Sequence, residues 1–501
     1  MMAWPGRRSG TPSRQAPGSE HSGASSAHFN IALGAWDTTT SRPTELKTMR
    51  DDLIAGRTTC EETAEAELAN IEAYGRRHNA FITVFSGEHG LALSRAREID
   101  ARVAGRMQDP APPLLGVPVT IKDNVFFAGF PTTNGSACFR GFLPPANAEM
   151  VDRLLEAGCV PLGKTNLHEF ALGTTSTSAY GGPILNPSDP ARISGGSSGG
   201  SAVSVALSKG PMLSVGSDTG GSVRIPAALC GVCGFKPSQG LFATDGVFPL
   251  SPSLDHLGLL TKTVSDLSTA FRALTGIAPR ARRERPRLGV PDRYFTDEMD
   301  ETVSRDFSRS VDALGSSGEF EVREVHVEES YAAYSRARAI IQLKEASWFY
   351  EEALRSPERR SEVHQDVLSL LDSGLRNGMI EYMRSMDVRV DALRRIPRLL
   401  ERVDVLVMPT CLIVAPRVDE VVGKETGSVR RRLLRNTELF NLTGLPALSL
   451  PIRKAGGGDS MPTALQLVGR HGDDALVLSV AEAIWDSQRA TKKRKEGQSV
   501  K

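Results

Sequence analysis

Apolar positions along the chain recur with two different periods. Leu46, Met49 and Leu53 are three and four residues apart, and Glu61 to Tyr74 repeats that spacing, which predicts two amphipathic helices. Phe81-Ile82-Thr83-Val84-Phe85 is short and β-rich and predicts a strand, while residues 88 to 104 return to a helical pattern. From residue 115 the two kinds alternate. Val117 to Ile121 predicts a strand, Glu149 to Ala157 a helix closing at Gly158, and Val160-Pro161-Leu162 a short strand. Ser201 to Leu207 predicts a helix of small residues, Met212 to Val215 a strand, and Val223 to Leu229 a short helix. Val403 to Met408, Leu448 to Pro451 and Ala464 to Val468 predict late strands. Strands alternating with helices predict an α/β fold in which a sheet lies between helical layers.

The organisation follows from changes in texture. Residues 1–43 are rich in Gly, Ser, Pro and Thr and hold few large apolar residues, so a disordered tail is expected. Its Arg and Ser content also fits a transit peptide, a weaker reading than simple disorder. Residues 44–490 read as one large domain, because no mid-chain linker and no repeat interrupts them. Within it, residues 280–400 are more charged and predict a mostly helical insertion. Residues 491–501, with Lys492-Lys493-Arg494-Lys495, predict a basic, solvated C-terminal tail.

Charge and cysteine content narrow the class. The 501 residues carry 60 basic and 59 acidic side chains, which argues against a general nucleic-acid or membrane-surface binder. Six scattered cysteines in so long a chain predict reduced thiols and a cytoplasmic setting. No apolar run approaches the roughly 18 residues that span a bilayer.

The chemistry lies in two glycine-rich blocks. Ser194-Gly195-Gly196-Ser197-Ser198-Gly199-Gly200-Ser201 is followed at once by predicted helix and strand, where a flexible linker would stay polar. Gly216-Ser217-Asp218-Thr219-Gly220-Gly221-Ser222 opens a helix and places consecutive backbone N–H groups beside a serine, an arrangement able to hold an oxyanion.

With Gly116-Val117-Pro118-Val119-Thr120-Ile121-Lys122-Asp123-Asn124, these blocks stand in the order of the amidase signature family, which the chain resembles from about residue 46 to 490. The resemblance implies a single large domain with a central mixed β-sheet covered by helices on both faces. It also implies a Ser–cis-Ser–Lys triad with Ser222 as nucleophile, Ser197 as bridge and Lys122 as base. Ser198 is the neighbour that competes with Ser197 for the bridging role. The N–H groups of Thr219, Gly220, Gly221 and Ser222 would form the oxyanion hole. Such a lysine must be uncharged to take a proton, so Lys122 is expected in a dry pocket without a carboxylate partner. No cofactor and no metal is called for. The expected substrate is a small or medium amide, cleaved to a carboxylate and ammonia or an amine. Neither nucleic acid nor membrane is expected as a partner, and a homodimer is compatible with the sequence.

Other motifs compete with this reading. Gly158-Cys159-Val160-Pro161-Leu162-Gly163-Lys164-Thr165 spells a phosphate loop, but a predicted helix precedes it and an apolar run lies inside it. Cys230 and Cys233 have half the spacing of a zinc site and no second pair follows. Asp218 and Arg224 are expected to fix the local backbone, and His256 to be a structural hydrogen-bonder. Arg389 is expected to be a solvated helix residue, with an anion-binding role as the alternative. The family includes the glutaminase component of an amidotransferase, which carries an acid before its Asn-Leu-x-Gly-Leu-Pro segment. Here Leu433-Leu434-Arg435 stand near that position, which favours a plain amidase.

Overall fold

The computed structural model describes residues 45–87, 90–105, 110–328, 331–452 and 461–498. The expectation for residues 1–43 lies outside them.

The central strands form because their apolar runs are buried on both faces. They are β1 (Phe81–Val84), β2 (Pro118–Lys122), β3 (Val160–Thr165), β4 (Leu213–Asp218), β5 (Cys233–Lys236) and β6 (His256–Thr261). The later strands are β7 (Arg287–Pro291), β8 (Glu321–Val325), β9 (Val405–Pro409), β10 (Ala447–Pro451) and β11 (Ala464–Val468). They build one sheet in the order β1-β3-β2-β4-β6-β5-β10-β11-β9-β7-β8. Every residue of β2, β3, β4, β5, β6, β9, β10 and β11 is buried, as a sheet covered by helices on both faces requires. The edge strands differ: β1 is half-buried throughout and β8, Glu-Val-Arg-Glu-Val, turns charges to solvent.

The sheet is mixed. β2 runs parallel to both β3 and β4, while β4 and β6 pair antiparallel. Helices Leu91–Ala104, Gly199–Leu207, Arg224–Cys230, Val264–Thr275 and Asp474–Gln498 pack on the strands. Their ends are marked by ordinary chemistry. Thr59 forms a capping box with Glu62 before helix Cys60–His78, and Asn79 ends that helix in the left-handed region.

Two regions differ from the sequence reading. Residues 280–400 hold long helices, Glu301–Ser316, Tyr331–Tyr350, Gln365–Arg376 and Met379–Arg395, but also β7 and β8, which extend the sheet beyond β9. The basic C-terminal segment is not wholly a tail, since helix Asp474–Gln498 runs through most of it.

Candidate active site

The site lies where parallel strands end side by side. The register pairs Val119 with Leu213 and Ile121 with Val215, so Lys122 at the end of β2 stands beside the end of β4. Open α/β sheets place ligands at such carboxyl ends. The two glycine-rich blocks lead into helices Gly199–Leu207 and Arg224–Cys230, and a backbone bond from Ser198 N to Ser222 O (3.0 Å) ties them together. Glycine is required for that packing. A Cβ on Gly200 would lie 2.4 Å from Ala80 O and 2.5 Å from Asn166 O.

Lys122 is fully buried. Its ammonium nitrogen donates to Ser197 Oγ and to Ser217 Oγ, both at 2.8 Å, and more weakly to Ser217 O at 3.4 Å. Among the described residues no carboxylate oxygen lies within 4.0 Å of it. Burial lowers its pKa from 10.5 to about 7, opposed by the more distant charges of Asp218 and Asp255. Lys164, in contrast, is equally buried but paired with Asp123 at 2.9 Å.

The peptide between Gly196 and Ser197 is cis. Ser197 is buried, its hydroxyl facing Lys122 and its carbonyl accepting from His168 N at 3.1 Å. Ser198 makes no such contact with the lysine, and its hydroxyl donates to Ser217 O at 3.1 Å. Ser222 is 7% exposed, and among the described residues its hydroxyl has no hydrogen-bond partner.

The loop from Asp218 to Ser222 is held by a buried polar ring. Asp218 and Arg224 pair at 2.9 Å with neither exposed, and Arg224 also donates to Thr437 O, Gln466 Oε1 and Asn441 Oδ1. Burial works against the Asp218 carboxylate, but Arg224, then Lys236 and Asn441, hold its pKa well below the usual range. Thr219 Oγ1 donates to Asp255 Oδ1 at 2.6 Å. The N–H of Gly221 is taken by Asp218 Oδ1 at 2.8 Å, so it is not a free oxyanion donor, contrary to the expectation from the sequence. Among the described residues nothing accepts from the N–H groups of Thr219, Gly220 and Ser222, and these three remain available.

The other candidates fall into structural places. Arg224 is engaged entirely within the ring. Arg389 donates to Leu442 O at 3.1 Å and Ser253 O at 2.9 Å, bracing two loops rather than standing in solvent. His256 is buried, with Nδ1 2.7 Å from Leu254 O, and burial pushes its pKa far down. Cys230 and Cys233 are buried, and among the described residues no group of three His, Cys, Asp or Glu could hold a metal ion. The phosphate-loop string contains strand β3, with Lys164 turned to Asp123, and presents no cradle ahead of a helix. Sequence reasoning missed Ser217, Thr437, Asn441 and Asp255. Only Ser217 had a signal, being a hydroxyl inside the second glycine block.

A family model described as Amidase matches residues 62–478, a span that includes Lys122 and both serine loops. The chain belongs to the amidase family. This amidase is 33% identical over 481 aligned residues to a glutamyl-tRNA(Gln) amidotransferase subunit from Chloroflexus aggregans, covering 87% of this chain and 96% of that protein. It is 34% identical to a solved structure described as an amidase, with a TM-score of 0.78 over 87% of this chain and 98% of the other. An inhibitor-bound complex described through the origins of an s-triazine catabolic enzyme is 29% identical, with a TM-score of 0.79 over 89% and 98% of the two chains. The likeness therefore covers the whole amidase domain, sheet and site together. No helix among the described residues is long and apolar enough to cross a membrane.

Proposed function

We propose that this protein hydrolyses the carbon–nitrogen bond of a small or medium amide through an acyl-enzyme on Ser222, with Ser197 relaying the proton to Lys122. One observation carries the reading: a fully buried lysine, without a carboxylate partner and with its pKa near 7, donates to Ser197 at 2.8 Å. A neutral amine in that position accepts the Ser197 proton while Ser197 takes the proton of Ser222, since one hydroxyl can donate and accept at once. Ser222 Oγ then bonds to the carbonyl carbon, and the carbonyl π pair moves onto oxygen beside the N–H groups of Thr219, Gly220 and Ser222. Collapse of this intermediate breaks the C–N bond, and the leaving nitrogen takes the proton back through the relay. Water repeats the sequence on the acyl-enzyme and releases the carboxylate. The steps need no cofactor, nucleic acid or membrane, and they suit a cytoplasmic protein, as a monomer or a homodimer.

The surroundings favour a neutral acyl group. Leu434 and Arg338 pack against Gly220, and the Arg338 guanidinium is paired with Glu438 at 2.6 Å, leaving little free positive charge for a substrate carboxylate. A second reading, the glutamine-hydrolysing component of an amidotransferase, is favoured by the name of the Chloroflexus relative. Under it the expectation of no nucleic-acid partner would lapse. Intact mass after treatment with a fluorophosphonate, on wild type and Ser222→Ala, tests the nucleophile. One adduct on wild type and none on the variant is expected, and an adduct on Ser222→Ala would sink the assignment. Turnover of neutral amides against glutamine then separates the two readings.

A further inference from the structure

We propose that Thr437 is a positioning residue for the oxyanion loop: its hydroxyl locks the Gly220–Gly221 peptide and thereby aims the N–H groups of Gly220 and Ser222. The proposal rests on the hydrolase reading above. Two adjacent glycines have little intrinsic preference for one backbone conformation, so the loop cannot fix its own donors. Here both poles of a single peptide plane are held by buried side chains. Thr437 Oγ1 lies 2.6 Å from Gly220 O, and Asp218 Oδ1 accepts from Gly221 N at 2.8 Å.

The Thr437 hydroxyl has one hydrogen and two carbonyls within reach. Leu434 O is at 3.0 Å, so the shorter contact to Gly220 O takes the hydrogen. Thr437 itself is fully buried, and its own carbonyl accepts from Arg224 Nη1 at 2.9 Å. Arg224 in turn holds Asp218 at 2.9 and 3.1 Å. The contacts thus close a ring through Thr437, Gly220, Gly221, Asp218 and Arg224. The fit leaves no slack: Gly221 has φ +136°, and a Cβ there would lie 2.2 Å from Thr437 Oγ1. With the central plane fixed, the two flanking planes carry the Gly220 and Ser222 N–H groups, which nothing else among the described residues engages.

The test compares Thr437→Val, which keeps the shape and removes the hydroxyl, with Thr437→Ser, which keeps the hydroxyl. Displaced rather than deleted donors predict a fall in kcat of about 10- to 100-fold for the valine variant, with KM unchanged and the serine variant close to wild type. Affinity for a trifluoromethyl ketone, which forms a tetrahedral oxyanion on the nucleophile, should fall by the same factor as kcat/KM. Affinity for the product carboxylate should not move. A purely structural role would instead lower the melting temperature and leave the kcat of the folded fraction intact. Should the valine variant fail to fold, Thr437→Ser against Thr437→Ala isolates the same hydroxyl. Equal kcat within either pair overturns the proposal. Turnover surviving in Ser222→Ala would sink the hydrolase reading itself, whereas a dead Ser222→Ala beside a fully active Thr437→Val sinks only this inference.

Discussion

The acid limb of activity should belong to Lys122. An ammonium with its pKa at 10.5 would leave only about one lysine in three thousand neutral at pH 7, while at about 7 half are neutral. That difference corresponds to about 5 kcal/mol, which burial must impose on the charged form. Between pH 6 and pH 8 the neutral fraction climbs from about one-tenth to about nine-tenths, so kcat/KM should rise roughly tenfold and then level. Neighbouring groups do not mimic this. Asp218 is held ionised by Arg224, and His256 is pushed well below the window by burial. His364 does titrate nearby, because its bond to Glu169 raises its pKa, but it sits at the start of helix Gln365–Arg376 and is partly exposed. His364→Gln is therefore the control. The assay is kcat/KM for an uncharged amide from pH 5 to pH 10, with the rate of fluorophosphonate labelling as a second readout. A rate still climbing tenfold per pH unit beyond 9, or a flat profile from 5 to 9, would refute the reasoning.

The same lysine should burden the fold. Lys122→Met is expected to abolish turnover, and its stability relative to wild type should be greatest near pH 7 and decline toward pH 10. In that window the unfolded wild-type chain binds a proton that the folded chain lacks, so wild-type stability rises with pH; a gap in urea midpoint that ignores pH would exclude the effect. Ser217→Ala removes an acceptor from the Lys122 ammonium and a partner from Asn124, and should lower kcat/KM about tenfold and move the acid limb to lower pH. Unchanged kinetics would remove Ser217 from the site. Asp218→Asn leaves the buried Arg224 without its counter-charge and should cost about 3–5 kcal/mol, read by chemical denaturation. Millimolar MgATP should neither bind by calorimetry nor raise the melting temperature, because Lys164 is committed to Asp123 within the sheet.

Much of the fold is legible in the sequence because burial on both faces writes apolar runs that bracket well. The pattern predicts β11 with its observed bounds, and β1, β2, β10 and helix Cys60–His78 within a few residues. It does not reveal β5 and β6. Cys-Gly-Phe-Lys is too short to show a period, and His256–Thr261 follows a loop with no clear break. β8 is hidden for a different reason, as an edge strand carrying charges resembles the charged helices around it. At the site, Lys122, Ser197 and Ser222 are marked by dense glycine and by resemblance. Thr437 and Asn441 have no local mark, since their partners lie more than 200 residues away and only the folded sheet brings them together.

That distance has a meaning for the chain as it is made. A ribosome that has delivered residue 420 has already released Lys122, Ser197 and Ser222, but not Thr437 or Asn441, and β5 still lacks its neighbour β10. The attacking group is thus synthesised long before the scaffold that arms it. Domains whose contacts span most of the sequence complete late. A chain cut short before Thr437 should fail to react with a fluorophosphonate, so that premature termination yields a silent fragment and not a stray, unselective hydrolase.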